Sequence, residues 1–135
     1  MDWNEELKAF ILSHRTDNPL VLALQQKKYP HINMKFVAQQ VEGFHMAKDK
    51  LPSLSLCDDF VYPPKLNREQ CSSEATAVFK AEEYALDKTI ADITGGLGID
   101  SIFMSKVAKS VIYIEQNEKL HNIAKHNFQA LSLSN

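Results

Sequence analysis

The chain has 135 residues, a formal net charge of −2, and 44% apolar and 24% charged side chains, ordinary proportions for a folded domain. No apolar run nears the ~20 residues that a membrane span needs, and Met1–Glu6 lacks the basic opening and small-residue cleavage site of a secretory signal. Cys57 and Cys71 are too few for a disulfide scaffold and lack metal-ligand spacing, so reduced, core-filling thiols in a cytoplasmic protein are expected. Residues 1–64 carry seven Lys/Arg against eight Asp/Glu and residues 65–135 eight against nine. Neither half shows the electrostatic footprint of a nucleic-acid binder.

The first half reads as short helices. Trp3, Leu7, Phe10 and Ile11 recur at helical spacing, with Asp2 as the expected cap. Asn18-Pro19 is a helix start: an amide that accepts backbone N–H bonds, then a ring whose fixed φ suits the first turn. That helix ends before Tyr29-Pro30. Asn33 caps a third helix, with Met34, Val37, Val41 and Phe44 on one stripe and Lys48–Pro52 closing it. Ser53–Pro64 is the sharpest composition break. Pro63-Pro64 donates no backbone bonds and disfavours helix before it, which puts a domain boundary near residue 64 and reads Tyr62-Pro63-Pro64 as a rigid linker.

Beyond the break the pattern changes. Ser72-Ser73 caps a helix expected to turn Ala75, Val78, Phe79 and Leu86 to one side. Thr89–Ile93 is a short β-prone run, followed by Thr94-Gly95-Gly96-Leu97-Gly98, which holds three of the four glycines in the chain. A helix pattern at Ile99, Ile102, Phe103 and Val107 leads to an apolar strand, Val111–Ile114, which ends at Glu115. A last amphipathic helix, capped by Asn117, runs through Leu120, Ile123, Ala124 and Leu131. Two buried-type strands separated by a helix imply a parallel, right-handed βαβ unit. Its two edges are open, from which self-association is expected.

A strand that feeds a glycine bend into a helix has a chemical use. Glycines remove the Cβ atoms that keep a ligand off the backbone, and an acid at the end of the neighbouring strand can accept hydrogen bonds from ribose hydroxyls. Glu115 lies 17 residues beyond Gly98 and 23 beyond Asp92, near the ~20-residue interval typical of nucleotide-binding βαβ units. Ser101 stands where a dinucleotide fingerprint needs glycine, and no P-loop Gly-Lys-Ser/Thr occurs. A carboxylate at Asp92 would repel a pyrophosphate but tolerate an ammonium and a sulfonium. S-adenosylmethionine fits that demand.

At these residues the sequence resembles the class I S-adenosylmethionine-dependent methyltransferases. Ile90–Gly98 looks like their first motif, an apolar strand ending in a glycine-rich bend, and Val111–Glu115 like their second. Asp-x-Thr-Gly-Gly-x-Gly-x-Asp over residues 92–100, with the preceding Glu69–Ala77 run, resembles the bacterial THUMP-like methyltransferases, a group associated with RNA modification. The resemblance implies that Asp92 approaches the methionine end of the cofactor, that Gly95, Gly96 and Gly98 form its floor, that Glu115 binds the ribose and that Gln116 lies near the adenine. Thr94 replaces the commoner glycine and could offer a hydroxyl, and the Ser72-Ser73 turn is placed to close over the cofactor. The family's catalytic Asp/Asn-Pro-Pro-Tyr or Asp-Pro-Ala-Arg run is absent.

The resulting expectation is α/β: a helical accessory domain over residues 1–64 and, over 65–135, the first βαβ portion of a Rossmann-like methyltransferase sheet. The chain is read as an N-terminal fragment with half a cofactor site and no catalytic residues, its RNA substrate implied by resemblance alone. Two other readings stay open, an NAD-binding oxidoreductase fragment and a noncatalytic helical interaction module. The five histidines are scattered, with His121 and His126 five apart, and no metal site is expected. Asp58-Asp59 reads as loop solvation, and Trp3, Phe36 and Phe44 as core.

Overall fold

In a computed structural model that describes residues 3–133, the chain is helix-rich with one small sheet. The helices α1 (Glu5–Ser13), α2 (Pro19–Ala23), α3 (Met34–Lys50), α4 (Lys65–Gln70) and α5 (Glu74–Lys80) precede strand β1 (Thr89–Asp92), helix α6 (Ile99–Met104), strand β2 (Ser110–Tyr113) and helix α7 (Glu118–Ala130). Single 3-10 turns cover Leu24–Lys27 and Leu54–Leu56.

The caps explain why the helices begin where they do. Asn18 accepts from the N–H groups of Leu20 and Val21 ahead of Pro19, Asn33 from that of Phe36, Ser73 from that of Thr76 and Asn117 from that of Leu120. At α1 the cap is Asn4, which accepts from the N–H of Leu7. The expected Asp2 lies outside the described residues.

Helix α3 links two apolar clusters. Its first turns bury Met34, Val37, Ala38 and Val41 with Ile11 and Leu22. Its last turn adds Ala47 and then Leu51 to a second cluster, which joins Leu54, Phe60 and Tyr62 to Ala77, Ala81, Leu97, Ile99, Ile102 and Phe103. That second core draws on both sides of residue 64. Gly43 makes the approach possible: a Cβ there would lie 2.3 Å from the Cβ of Tyr62.

Of the expected rigid linker, Tyr62 and Pro63 are core and Pro64 is exposed, and the buried run reaches back to Phe60. Phe60, Val61 and Tyr62 are all under 5% exposed. They have no strand partner, yet the backbone groups of Val61 and Tyr62 are paired. Gln40 accepts from the N–H of Tyr62 and donates to its carbonyl, at 2.8 and 2.9 Å, and Asn127 does the same for Val61 at 2.8 and 2.9 Å. Two side-chain amides thus replace a ladder.

Another difference lies in α5. The buried ridge is Ala77, Ala81 and Ala85, while Phe79 and Leu86 are exposed. Residues 81–85 form a wide π turn at the end of the helix, which changes the angular step on which the expected stripe was built. The small alanines let α6 pack closely against this ridge.

β1 and β2 pair in parallel with Ile90 opposite Val111 and Asp92 opposite Tyr113, so the predicted βαβ unit is present. Ile93, Ile112 and Ile114 are exposed. No described helix is long and apolar enough to cross a membrane.

Asp59 ties the N-terminal segment to the 57–63 run. Its carboxylate accepts from Lys8 at 2.8 Å and from the Trp3 indole at 3.5 Å. The Lys8 hydrogen bond, reinforced by Trp3, holds the carboxyl below its usual 3.8. A carboxylate with a depressed folded value stabilises the fold above its unfolded value, and that contribution is lost as pH falls through the folded one. Urea midpoints of the wild type should therefore drop as pH falls below 3.8, and Asp59→Asn should flatten that acid limb. An unchanged limb would show that the contact contributes nothing.

Candidate functional site

The bend after β1 is built by its glycines. Gly96 and Gly98 have φ of +55° and +81°, the left-handed region that side chains resist. Gly95 lies flush against an aromatic ring, since a Cβ there would be 2.1 Å from Cε2 of Tyr113. The parallel ladder runs on into the bend: the Ile114 N–H donates to the Asp92 carbonyl and the Gly95 N–H to that of Ile114, each at 2.9 Å.

Glu115 reaches back to this bend. Its Oε2 accepts from the Gly96 N–H at 2.9 Å and its Oε1 from the Asn117 N–H at 2.7 Å. One carboxylate therefore joins the glycine bend to the start of α7. A carboxylate offers about four acceptor positions, so two remain for hydroxyls of a ligand. The Tyr113 hydroxyl donates to the Gly96 carbonyl at 2.6 Å. Burial, with the charges of Glu115 and Asp92 nearby, raises its pKa, which keeps the phenol protonated as a donor.

Thr94, Gly95, Gly96, Glu115 and Gln116, all singled out in the sequence, border one cavity of about 530 Å³. That is within the range of small-molecule pockets, roughly 300–1,000 Å³. Asp92 and Gly98 are not among the lining residues. Asp92 instead accepts from the Ser101 hydroxyl at 2.7 Å and from the Thr94 N–H at 3.4 Å, tying the bend to α6. Ser101, which breaks the dinucleotide pattern, is thus the partner of the first-strand acid. Gly98 packs under Phe128 of α7.

The opposite wall was largely missed. Asn67 and Gln70 of α4, then Cys71 and Ser72, border the same cavity, with Lys80 of α5 and Asp100 of α6. Of these, the sequence had marked the Ser72-Ser73 turn as a closing element. Asp100 is the last acid of the nine-residue motif, which was the one signal that could have found it. Burial pushes the Cys71 thiol pKa up, which disfavours the reactive thiolate. Its Sγ donates to the Arg68 carbonyl at 3.1 Å. Among the described residues no group of three or more His, Cys, Asp or Glu is placed to hold a metal ion.

Comparison with known proteins gives one informative match. The chain superposes with a TM-score of 0.79 on the crystal structure of a "putative methyltransferase" from Porphyromonas gingivalis W83, at 28% identity over 97% of its own length. It spans 34% of that protein. No protein-family model and no curated protein matches. The helix-rich architecture with its parallel strand pair, read together with that match, is a partial α/β fold of methyltransferase type.

Proposed function

We propose that this chain forms the ribose-binding part of an S-adenosylmethionine site, within a class I methyltransferase. The observation that carries the reading is the Glu115 carboxylate bonded to the Gly96 amide, at the edge of a cavity floored by glycine. The residues fit such a cofactor. The acid sits at the end of the second strand, the bend presents backbone without side chains, and the lining is mostly polar. When bound, the cofactor supplies an electrophilic methyl group. The part played by this chain is to hold the ribose through Glu115 and support the nucleoside on Gly95 and Gly96, with Thr94 and Gln116 alongside. Asp92 acts at one remove, by fixing the bend through Ser101 and Thr94. Alignment of this kind is what methyl transfer chiefly asks of a protein. An RNA acceptor rests on the motif resemblance alone, and no residue of this chain is assigned to the transfer step.

A dinucleotide suits the site less well. In glycine-bend dinucleotide sites the backbone N–H groups face a pyrophosphate, whereas here the Gly96 N–H is taken by a carboxylate whose charge repels phosphate. Calorimetry on the 135-residue chain should accordingly show binding of S-adenosylhomocysteine and none of NAD at equal concentration. Glu115→Ala should weaken S-adenosylhomocysteine at least tenfold, about 1.4 kcal/mol, with the far-UV spectrum unchanged. Glu115→Gln keeps an acceptor for the Gly96 N–H and should lose less. Preference for NAD, or an affinity indifferent to Glu115→Ala, would overturn the assignment.

A further inference from the structure

The glycine bend is held from outside the cavity as well as from its edge. The Gly98 N–H donates to the Gly95 carbonyl at 2.7 Å, which closes a turn around Gly96 and Leu97. A turn closed in this way keeps one loose joint, the peptide between its two middle residues, whose rotation separates one turn type from another. Packing does little to fix that joint here. Gly96 sits at φ +55°, and a Cβ on it would meet only the Thr94 carbonyl oxygen, at 3.8 Å, whereas Gly95 and Gly98 lie against the rings of Tyr113 and Phe128. A glycine without such neighbours turns freely. Glu115 holds the N–H of the preceding peptide and leaves this one unconstrained. What fixes the joint is the Tyr113 hydroxyl, which donates to the Gly96 carbonyl at 2.6 Å.

Tyr113 does not border the cavity, although Gly96 and Leu97 do. Its ring is kept in place without the hydroxyl, by Gly95 on one side and by Phe128, edge-on at 5.1 Å. In a trans peptide the C=O and the N–H point in opposite directions. Holding the Gly96 carbonyl toward the phenol therefore turns the Leu97 N–H the other way, and that N–H has no partner among the described residues. We propose that Tyr113 is a positioning residue for the nucleoside: its hydroxyl locks the middle peptide of the turn with the donor, not the carbonyl oxygen, on the face away from the ring. This rests on the adenosine-site reading above and adds to it a residue that the glycine motif does not contain. Once released, the peptide flips part of the time, and affinity falls by the fraction of molecules lost to the flipped turn.

Removing the hydroxyl alone tests this. In the 135-residue chain, Tyr113→Phe should weaken S-adenosylhomocysteine about fivefold by calorimetry, the worth of one lost hydrogen bond, with the far-UV spectrum unchanged. 4-Aminophenylalanine at the same position keeps a donor on the ring and should restore most of the affinity. If Tyr113→Phe lowers the melting temperature yet leaves the affinity within about twofold, the low end for one such bond, the hydroxyl serves the fold alone and the positioning role is rejected. An affinity that 4-aminophenylalanine does not recover rejects it too. Glu115→Ala separates the proposal from the reading beneath it. Affinity lost there and kept in Tyr113→Phe leaves the adenosine site standing without this role for Tyr113, and a wild type that binds no S-adenosylhomocysteine overturns both.

Discussion

Asn127→Leu is expected to lower the unfolding free energy by about 3–5 kcal/mol, because it strands two buried backbone groups at once. The Asn127 side chain is fully buried. Its amide accepts from the N–H of Val61 and donates to its carbonyl. Leucine fills nearly the same volume but does neither. Each unpaired buried group costs about 1–3 kcal/mol, and a domain of ordinary stability has only about 5–15 kcal/mol in total. Urea unfolding should show the midpoint falling by about 2 M at an ordinary dependence on denaturant. A loss below about 1 kcal/mol would mean that the Val61 backbone finds other partners.

The next largest effect is expected at Gly98, where alanine should cost about 2–5 kcal/mol from two separable causes. Its φ of +81° is left-handed, which costs a side chain about 1–2 kcal/mol. Its Cβ would also stand 2.6 Å from Cζ of Phe128. That ring has little room to retreat, since it packs edge-on against Tyr113 at 5.1 Å, and overpacking of this kind costs about 1–3 kcal/mol. Pairing Gly98→Ala with Phe128→Leu should recover the steric share and leave the backbone share. Thermal or urea unfolding of the two single variants and the double reads out the coupling directly. Additive losses would place the whole effect in the backbone.

The strand, bend, strand and acid from Thr89 to Glu115 were legible because each signal is local. Glycines clustered between an apolar run and a helix pattern, with an acid at the right interval, leave few arrangements open. The parallel pairing and the Glu115–Gly96 contact follow from them. The far wall had no such signal. Lys80 and Asp100 meet through the packing of α5 on α6, and the alanine ridge that permits it was masked by the larger Phe79 and Leu86, both of which are exposed. Ser53–Pro64 misled for another reason. Prolines and acids suggest solvent, yet Phe60–Tyr62 is buried because amides 22 and 66 residues away satisfy its backbone. No local periodicity encodes a partner at that separation. Asp92 shows the same limit at close range: its sequence position suited a ligand, and Ser101 took its carboxylate.

Helix α7 begins at the cavity, where Asn117 and Leu120 form part of the lining, and about 15 Å further on its Asn127 grips the Val61 backbone. A rod clamped at both ends does not swing. The wall that carries Glu115 is therefore set before anything enters, and a guest of the wrong outline finds no accommodation on that side. Asn67–Ser72 opposite is tethered too, by Lys50 donating to the carbonyls of Arg68 and Glu69 and by the Arg68–Glu42 ion pair, so both walls stand in place ahead of the guest.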